Sequence, residues 1–536
     1  MSLTRVSVSL GGTVALYVLY KAYDALYRDF TSPIKHLPGL SSANILIGNL
    51  KEMMFMDQGE VHGRHAKKLG TTFKFKAMLW DNWLFTADIK AISHILRNDT
   101  EIWQKPQHLA YNLLKLLGPG MILVDSDVHK RQASFLNPAF SPSEIKQFTE
   151  IFFDKAVKLR DIWTAQLQQA DGEQRRIDIL SWLSRATLDV IGEAGFGYKF
   201  DSLSEEPDKT NELHEAFSIM FKVGTNPSVI RLLRGLIPAT RFLSAERDWE
   251  TDKARTTMDR IGKQLLVERE LALDPGLSEK GHNSGNDILS LLVRANASGD
   301  SHHRLPEDQV LAQIPTFIVA GHETTSTATA WALFSIAQDQ SVQMRLREEL
   351  LAVTSENPSM DELNALPYLD AVVRETMRIH SPVPATMRLA AEDDVLPLQN
   401  PVVDKNGKIH HELKVSKGQI VCISLVLVNR LEEIWGKDAD QFKPDRWSSP
   451  PEAANSIPGV WGNLLSFFGG PRACIGYRFS LIEMKALLFT LIRAFEFELA
   501  VPASDILKRS EIVTRPVLRT DPSGSNQLPV LVRPVA

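Results

Sequence analysis

Cys474 lies in Phe467–Gly476, FFGGPRACIG, hemmed by glycines, two residues after an arginine and just before an apolar run. That run, IGYRFSLIEMKALLFTLIRAF, has helical periodicity. The cysteine is thereby placed at a helix N-terminus, where free amides and the dipole favour a thiolate. Gly470 and Gly476 permit tight backbone geometry and close approach of a flat ligand. Phe467 can cover the sulfur, and Arg472 adds a positive charge. A thiolate held without a histidine partner motif suits an axial metal ligand better than a nucleophile. Haem iron accepts a single cysteine thiolate, which pushes electron density toward O–O cleavage. A buried, inert cysteine is the ordinary alternative, and the full pattern F-x-x-G-x-R-x-C-x-G argues against it.

A second cluster is AGHETTS, Ala320–Ser326, inside an apolar helix predicted from about Leu305 to Ala337. Leu305-Pro306-Glu307-Asp308 supplies its start, with proline first and acids in the first turn. Pro315 removes one backbone donor and is expected to bend it. Gly321 costs about 1 kcal/mol against alanine in a helix interior. Glu323 and Thr324 set an acid beside a hydroxyl on this apolar element. Thr324 can bond back to the Ala320 carbonyl and open the ladder locally. Taken alone, the segment reads equally well as a kinked core helix with satisfied threonines. Glu375 and Arg378, three residues apart, share a helix face.

The elements that position these groups are mostly helical. Ser143–Trp163, Ile179–Gly192 and Arg255–Leu273 have helical spacing, while strand-like runs are few: Thr71–Lys76, Trp83–Thr86 and Gly418–Val428. Leu273–Asn286 reads as a polar, glycine-rich surface linker. The 536 residues are 44% hydrophobic and 23% charged, as in a globular protein, and the net charge of -5 offers no global basic field for nucleic acid. Two cysteines, Cys422 and Cys474, exclude a disulfide framework, a four-cysteine zinc site and an all-cysteine iron–sulfur cluster. They point to a reducing compartment.

Val6–Tyr20, VSVSLGGTVALYVLY, carries no charge. It is short of the about 20 residues a spanning helix needs, but Arg5 and Lys21 can snorkel at its ends. No small-residue cleavage site is evident, so an uncleaved signal anchor is favoured over a removed signal peptide, with an interfacial helix lying on the membrane as the ordinary alternative. The prolines of SPIKHLPG, Ser32–Gly39, make a stiff spacer. The expected organisation is an anchor region over 1–31, a hinge over 32–40 and a single catalytic domain over 41–536.

FFGGPRACIG resembles, at every fixed position, the haem-binding signature of the cytochrome P450 monooxygenases. Glu375-Thr376-Met377-Arg378 resembles that family's E-x-x-R helix motif, Phe442–Trp447 (FKPDRW) its later P-x-R segment, and AGHETTS its oxygen-activation motif. The four motifs follow the family order along nearly the whole chain. The anchor and hinge resemble those of microsomal, eukaryotic members, and QIPTFIVAGHETTS resembles fungal, basidiomycete wording. The resemblance implies the cytochrome P450 fold, mainly α with small β-sheets: a triangular helix-rich prism around haem, with an N-terminal membrane anchor helix. It implies haem b, with Cys474 as axial thiolate and metal ligand and Phe467, Gly470 and Gly476 around it. His129, Arg388 and Arg472 are the implied propionate partners. The family's C-helix pattern, matched by Val128–Phe140, carries an arginine four residues after His129, where this chain has Ala133. Lys130 and Arg131 are its nearest substitutes, on other helix faces. Glu375, Arg378 and Arg446 are expected to form a buried structural cluster that holds the cysteine loop.

The implied reaction consumes O2, two electrons and two protons, and inserts one oxygen atom into a lipophilic substrate, as a hydroxylation or as one of successive oxidations. Thr324 organises a water at the reacting oxygen, and Glu323 relays protons from solvent. The chain has no flavin or nicotinamide fingerprint. Electrons from NADPH are therefore expected through a separate NADPH-cytochrome P450 reductase, with cytochrome b5 as a further donor. Lys130, Arg131, Arg478 and Lys485 are the expected basic docking patch. The expected location is the endoplasmic reticulum membrane, with a single-pass N-terminal anchor and a cytosolic catalytic domain. Implied pocket segments are Pro106–Asp125, Ala216–Leu243, Ile314–Thr324, Val383–Met387 and Ile512–Thr514. Their apolar content favours a lipid, with a lean to a terpenoid or triterpenoid of fungal secondary metabolism. The alternatives are a haem-thiolate isomerase, dehydratase or peroxygenase, and a non-catalytic haem carrier or sensor. The Glu323–Thr324 pair argues for oxygen activation.

Overall fold

The structure is a computed structural model. It describes Tyr20, Tyr27 and residues 30–42, 44, 47–78, 81–169, 174–204, 211–213, 215–217, 219, 229–236, 240–273, 287–298 and 304–535. The expected anchor over Val6–Tyr20, Tyr20 apart, lies outside the described residues, as does nearly all of the expected linker over Leu273–Asn286. Among the described residues no helix is long and apolar enough to cross a membrane.

Helices form most of the framework. Those that position the site are, in chain order, α1 (Ile89–Arg97), α2 (Ser126–Leu136), α3 (Pro142–Gln168), α4 (Ile179–Phe196), α5 (Glu307–Leu311), α6 (Gln313–Gln338), α7 (Pro367–Ile379) and α8 (Tyr477–Ala494). The periodic stretches are thus helices, each somewhat longer than its apolar repeat; the third, Arg255–Leu273, lies in a further helix, Asp248–Leu273. From Thr325 to Ala337 every residue of α6 is buried, the mark of a central helix wrapped by others. It lies between α4, α7 and α8. Gly321 is what lets α4 close on it: a Cβ there would stand 2.9 Å from Ile191 Cγ1. α8 packs on α3 through Phe479, whose ring meets Phe152 at 4.7 Å and Phe148 at 6.0 Å.

The long helix expected from Leu305 is two helices, parted at Ala312. Proline is the reason. Pro315 cannot donate to the Leu311 carbonyl and its ring crowds that group, so the chain restarts with the proline inside the first turn of α6. From Gln313 to Gln338 the helix is then continuous, with no opening at Gly321.

Four small sheets complete the described fold. The largest runs β1 (Thr72–Lys76), β2 (Asn82–Thr86), β8 (Ile420–Ser424), β5 (Ala385–Ala390), β3 (Trp103–Gln104), antiparallel except for the parallel β2–β8 pair. β5 carries Arg388 opposite Val421. The others are β6 (Asp394–Val403) with β7 (Ile409–Val415), β4 (Arg175–Asp178) with β12 (Pro529–Pro534) and β9 (Phe495–Leu499), and the hairpin of β10 (Ile506–Ser510) and β11 (Thr514–Leu518). The strand expected over Gly418–Val428 stops at Ser424. Its hydroxyl accepts from Leu427 N at 3.3 Å and turns the second half into a helical turn.

Candidate active site

The cysteine loop is built by its own backbone. Cys474 N donates to the Phe467 carbonyl at 2.9 Å, Ala473 N to Gly470 at 3.1 Å, and Phe468 returns its carbonyl to Val460 N at 2.9 Å. Gly470 has φ +68, and a Cβ there would stand 2.9 Å from the Leu96 carbonyl oxygen of α1. At Gly469, which spacing did not single out, a Cβ would fall 1.8 Å from the Pro458 carbonyl oxygen. Phe468 holds φ +60 without being glycine, a strained conformation of the kind that gathers at functional sites. The Phe467 ring is buried against Trp461 at 5.6 Å and Tyr477 at 6.1 Å. Gly476 is ordinary in backbone, φ -88, and caps α8. A Cβ there would meet only Phe140 at 3.7 Å, so no protein atom excludes a side chain and its absence keeps the space open.

The Cys474 sulfur is reached by solvent yet surrounded by protein, so it faces an interior space. Burial pushes its thiol up to about 11, against the lowering effect of the Gly476 amide. The helix N-terminus alone does not produce a thiolate here. A thiolate needs a bound cation, as a coordinated metal supplies.

Beside the loop the expected propionate partners converge. Arg388 bonds both oxygens of the buried Asp99, with Nη2 to Oδ2 at 3.1 Å, and reaches Thr386 Oγ1 at 3.0 Å. Arg472 bonds Asp125 and donates to the Val124 carbonyl at 3.0 Å, with its Nε 3.7 Å from Asp99 Oδ2. His129 is buried, and its Nδ1 has no hydrogen-bond partner. Burial and the charges of Arg472, Lys105 and Arg388 lower its imidazole to about 4. Lys105, which the motifs did not reveal, completes the group. Burial and the two arginines bring its ammonium down to about 7, and it bonds the Ile122 carbonyl. The proposed stand-ins do not join: Lys130 and Arg131 are exposed, and Lys130 approaches Glu101 at 3.8 Å. A crowded set of cations, an orphaned imidazole nitrogen and a thiol facing interior space fit the two carboxylates and the iron of a haem.

Glu375, Arg378 and Arg446 meet as expected. Arg378 forks onto Glu375 at 2.9 and 2.8 Å, both side chains fully buried, and Arg446 Nε lies 3.5 Å away on the same carboxylate. Trp447 Nε1 and the Lys443 amide donate to it at 3.0 and 2.8 Å. Arg446 leans more on Asp438, at 3.0 Å. The link to the cysteine loop runs through residues outside any motif. Arg378 donates to the Asn429 carbonyl at 3.1 Å, and the Asn429 side chain holds Leu465 N at 2.9 Å and Ser466 Oγ at 2.8 Å. Two residues later comes Phe468. Only the length of the preceding apolar run hinted at Asn429, as a polar residue directly after it.

On α6, Thr324 Oγ1 donates to the Ala320 carbonyl at 2.6 Å, as its position predicts. Glu323 is mostly buried between His322 and Arg515 of β11. Behind them Thr325 Oγ1 meets Ser480 Oγ of α8 at 2.9 Å. Glu483, also unforeseen, is fully buried nearby, and burial pushes its carboxyl well above the usual range. Of the expected docking patch, Arg478 is exposed, but Lys485 is buried against Asp370 at 2.9 Å and Asn364 at 2.9 Å, and is withdrawn from it. Its position on α8 faces the core, which charge alone did not disclose. The expected pocket segment Ala216–Leu243 is described only in part, with 218, 220–228 and 237–239 outside the described residues.

The family model for Cytochrome P450 matches residues 38–520. Cytochrome P450 monooxygenase 205 of Postia placenta is 47% identical over 542 aligned positions, which cover 100% of this chain and 99% of that one. Cytochrome P450 monooxygenase 128 of the same fungus is 44% identical, over 98% of this chain and 97% of its own. Ganoderic acid synthetase of Ganoderma lucidum is 33% identical, over 93% of each. The chain belongs to the cytochrome P450 family. It is an enzyme of the monooxygenase class, with the haem, cysteine thiolate, O2, external electron supply and lipophilic substrate that this class implies.

Proposed function

We propose that this enzyme is a membrane-anchored monooxygenase that hydroxylates a terpenoid, with electrons from NADPH. The overall change is RH + O2 + NADPH + H⁺ → ROH + H2O + NADP⁺, and NADPH-cytochrome P450 reductase delivers the electrons, with cytochrome b5 as a further donor. The observation that carries this reading is the strained cysteine loop next to the Arg388–Arg472–Lys105–His129 cluster. When bound, haem supplies oxygen activation and O–O cleavage. Cys474 would ligate the iron. Arg388, Arg472, Lys105 and His129 would hold the propionates, the arginines exchanging Asp99 and Asp125 for them.

Thr324 spends its proton on the Ala320 carbonyl, so its lone pairs face outward and can accept from a water. Glu323, next to it, moves protons from solvent toward that water. The substrate class draws support from the ganoderic acid synthetase relative, whose name is that of a triterpenoid product. The anchor over 1–31, the hinge over 32–40, one domain over 41–536 and the endoplasmic reticulum location form one reading. It draws support from a cavity of about 680 Å3 that gathers Lys35, His36, Lys74, Lys76 and Lys405 beside the exposed Phe30. Such a basic face suits an anionic bilayer surface.

The test is expression with a reductase, lipid extraction and comparison of oxygenated products. Thr324→Ala is expected to lower product formed per NADPH by about tenfold or more. Unchanged coupling would remove Thr324 from the role.

A further inference from the structure

The sequence holds four Ser-Pro pairs: Ser32-Pro33, Ser141-Pro142, Ser381-Pro382 and Ser449-Pro450. The fold separates them. Ser381 is buried. Ser141 precedes α3, with Pro142 in the first turn of that helix. Ser32 is half-buried, and its hydroxyl accepts from Ile34 N at 3.3 Å. Ser449 differs from all three. It is exposed, as are Ser448 and Pro450 on either side, and its hydroxyl has no partner among the described residues. Ser448, by contrast, spends its hydroxyl on the Asp445 carbonyl at 2.7 Å. The backbone at Ser449 is non-helical, φ -148 and ψ 74, and no helical turn begins before Glu452. Phosphoryl transfer to serine needs a free hydroxyl on an open stretch of chain. Pro450 and Pro451 keep this stretch from coiling.

Ser449 also lines a surface cavity of about 720 Å3, between the helix Gln340–Leu351 and the Pro444–Ser448 turn of FKPDRW. None of Arg388, Arg472, Lys105 and His129 lines it. The helix contributes Arg345, laid on the Tyr368 ring at 4.0 Å. The approach to the turn contributes Lys443. Each of these cations is held by a carboxylate on the surface: Arg345 Nη1 lies 2.5 Å from Asp445 Oδ1, and Lys443 Nζ 2.9 Å from Asp438 Oδ2. The side chains of Arg345 and Asp445 are more than half exposed, so water and salt weaken that pair and it exchanges readily. Arg446 lies deeper, on Asp438 and Glu375, and keeps its partners. Two exchangeable cations from two different elements thus share one cavity with an unpartnered serine hydroxyl.

We propose that Ser449 is a modification site, phosphorylated by a proline-directed protein kinase, and that its phosphate seats between Arg345 and Lys443. The reaction is Ser449–OH + ATP4− → Ser449–OPO3 2− + ADP3− + H⁺. The serine oxygen bonds the γ-phosphorus, the bond from that phosphorus to the β,γ-bridging oxygen breaks, and the hydroxyl proton leaves to solvent. The product carries a charge of about -1.5 to -2 and three acceptor oxygens, against a single charge on each carboxylate. It therefore draws Arg345 from Asp445 and Lys443 from Asp438. The bridge fastens the Pro444–Ser448 turn to the helix Gln340–Leu351. That turn packs on α7, which carries Glu375 and Arg378. The modification thus tightens the elements behind the cysteine loop from outside, without touching the haem site. Meeting the kinase in the cell rests on the cytosolic placement of the domain proposed above; the chemistry on the purified chain does not.

The experiment uses the purified full-length holoprotein, a proline-directed kinase of the mitogen-activated class and ATP. Phosphopeptide mass spectrometry locates the phosphate, and phosphorus-31 NMR titrates it. Label at Ser449 is expected to exceed label at Ser32 and Ser141 severalfold. It is expected to vanish in Ser449→Ala and to fall severalfold in Pro450→Ala, both exposed positions whose carbon monoxide difference band stays that of wild type. The second ionisation of the phosphate is expected below the ordinary value of about 6, because two cations favour the dianion. Arg345→Gln is expected to move it back toward that value, and Lys443→Gln to do the same. Absence of label at Ser449 on the folded chain, or label mainly at Ser32 or Ser141, overturns the site. A titration that neither Arg345→Gln nor Lys443→Gln moves overturns the seat between them. Should one of these variants fold poorly, the other decides.

Discussion

Replacing Lys105 by methionine removes one of three cations facing Asp99 and Asp125 while keeping its apolar stem. Haem retention in a competition against apomyoglobin is expected to fall severalfold, whereas Lys130→Met, at an exposed site, is expected to retain haem as wild type does. Equal retention in the two variants would remove Lys105 from the site. A second residue prediction concerns pH. His62 is fully buried between Ser424 Oγ at 2.8 Å and the Met53 carbonyl at 2.9 Å, and burial lowers its imidazole from 6.5 to about 4. The unfolded chain binds the proton first. The stability is therefore whole above about pH 6.5 and lost as pH falls to about 4, on the order of 3 kcal/mol. Urea titrations of wild type and His62→Gln should diverge in slope over that window; parallel pH profiles would count against it. At this scale the sequence was legible where chemistry fixes spacing, as at Cys474, Arg472 and Thr324. It was silent on Lys105, Glu483 and Arg515, because each acquires its role from a neighbour brought in from far along the chain.

The element that holds the cysteine loop is α7. Glu375 sits there under two arginines, an indole and a backbone amide, none of which water can serve in its place. Glu375→Gln is expected to leave the fully buried Arg378 without its charge partner and to cost about 3–5 kcal/mol. Because Arg378 also grips the Asn429 carbonyl, the loss should reach the loop and speed amide exchange at Leu465 and Cys474. Thermal denaturation and hydrogen exchange read the two effects. A small change in both would reduce the cluster to a bystander. Periodicity located the helices well, because burial of one face writes itself into spacing. It merged α5 with α6, since Ala312 carries no breaker of its own and the fault arises from Pro315 three residues on. It also misread Gly321 as a weak point, where the structure uses the missing side chain to bring Ile191 of α4 close.

Across the whole molecule, the four motifs lie on separate elements that packing ties together: α6 packs on α7 and on α8, which follows the cysteine loop, and α7 packs on the Pro444–Ser448 turn of FKPDRW. The order of motifs carried the family but not the contacts, and the net charge of -5 concealed both the cationic cluster around Asp99 and the basic cavity near Phe30. Cys422 shows the same contrast: it lies in β8 with burial pushing its thiol to about 12, a packing residue sharing only its type with Cys474. The central claim is that Cys474 is the thiolate ligand of a haem. The most direct measurement is the dithionite-reduced, carbon monoxide difference spectrum of the purified full chain beside Cys474→Ser and Cys422→Ser. The account predicts the strongly red-shifted Soret band of thiolate ligation in wild type and Cys422→Ser, and its loss in Cys474→Ser. A wild-type spectrum without that band, or one that survives Cys474→Ser, would contradict it.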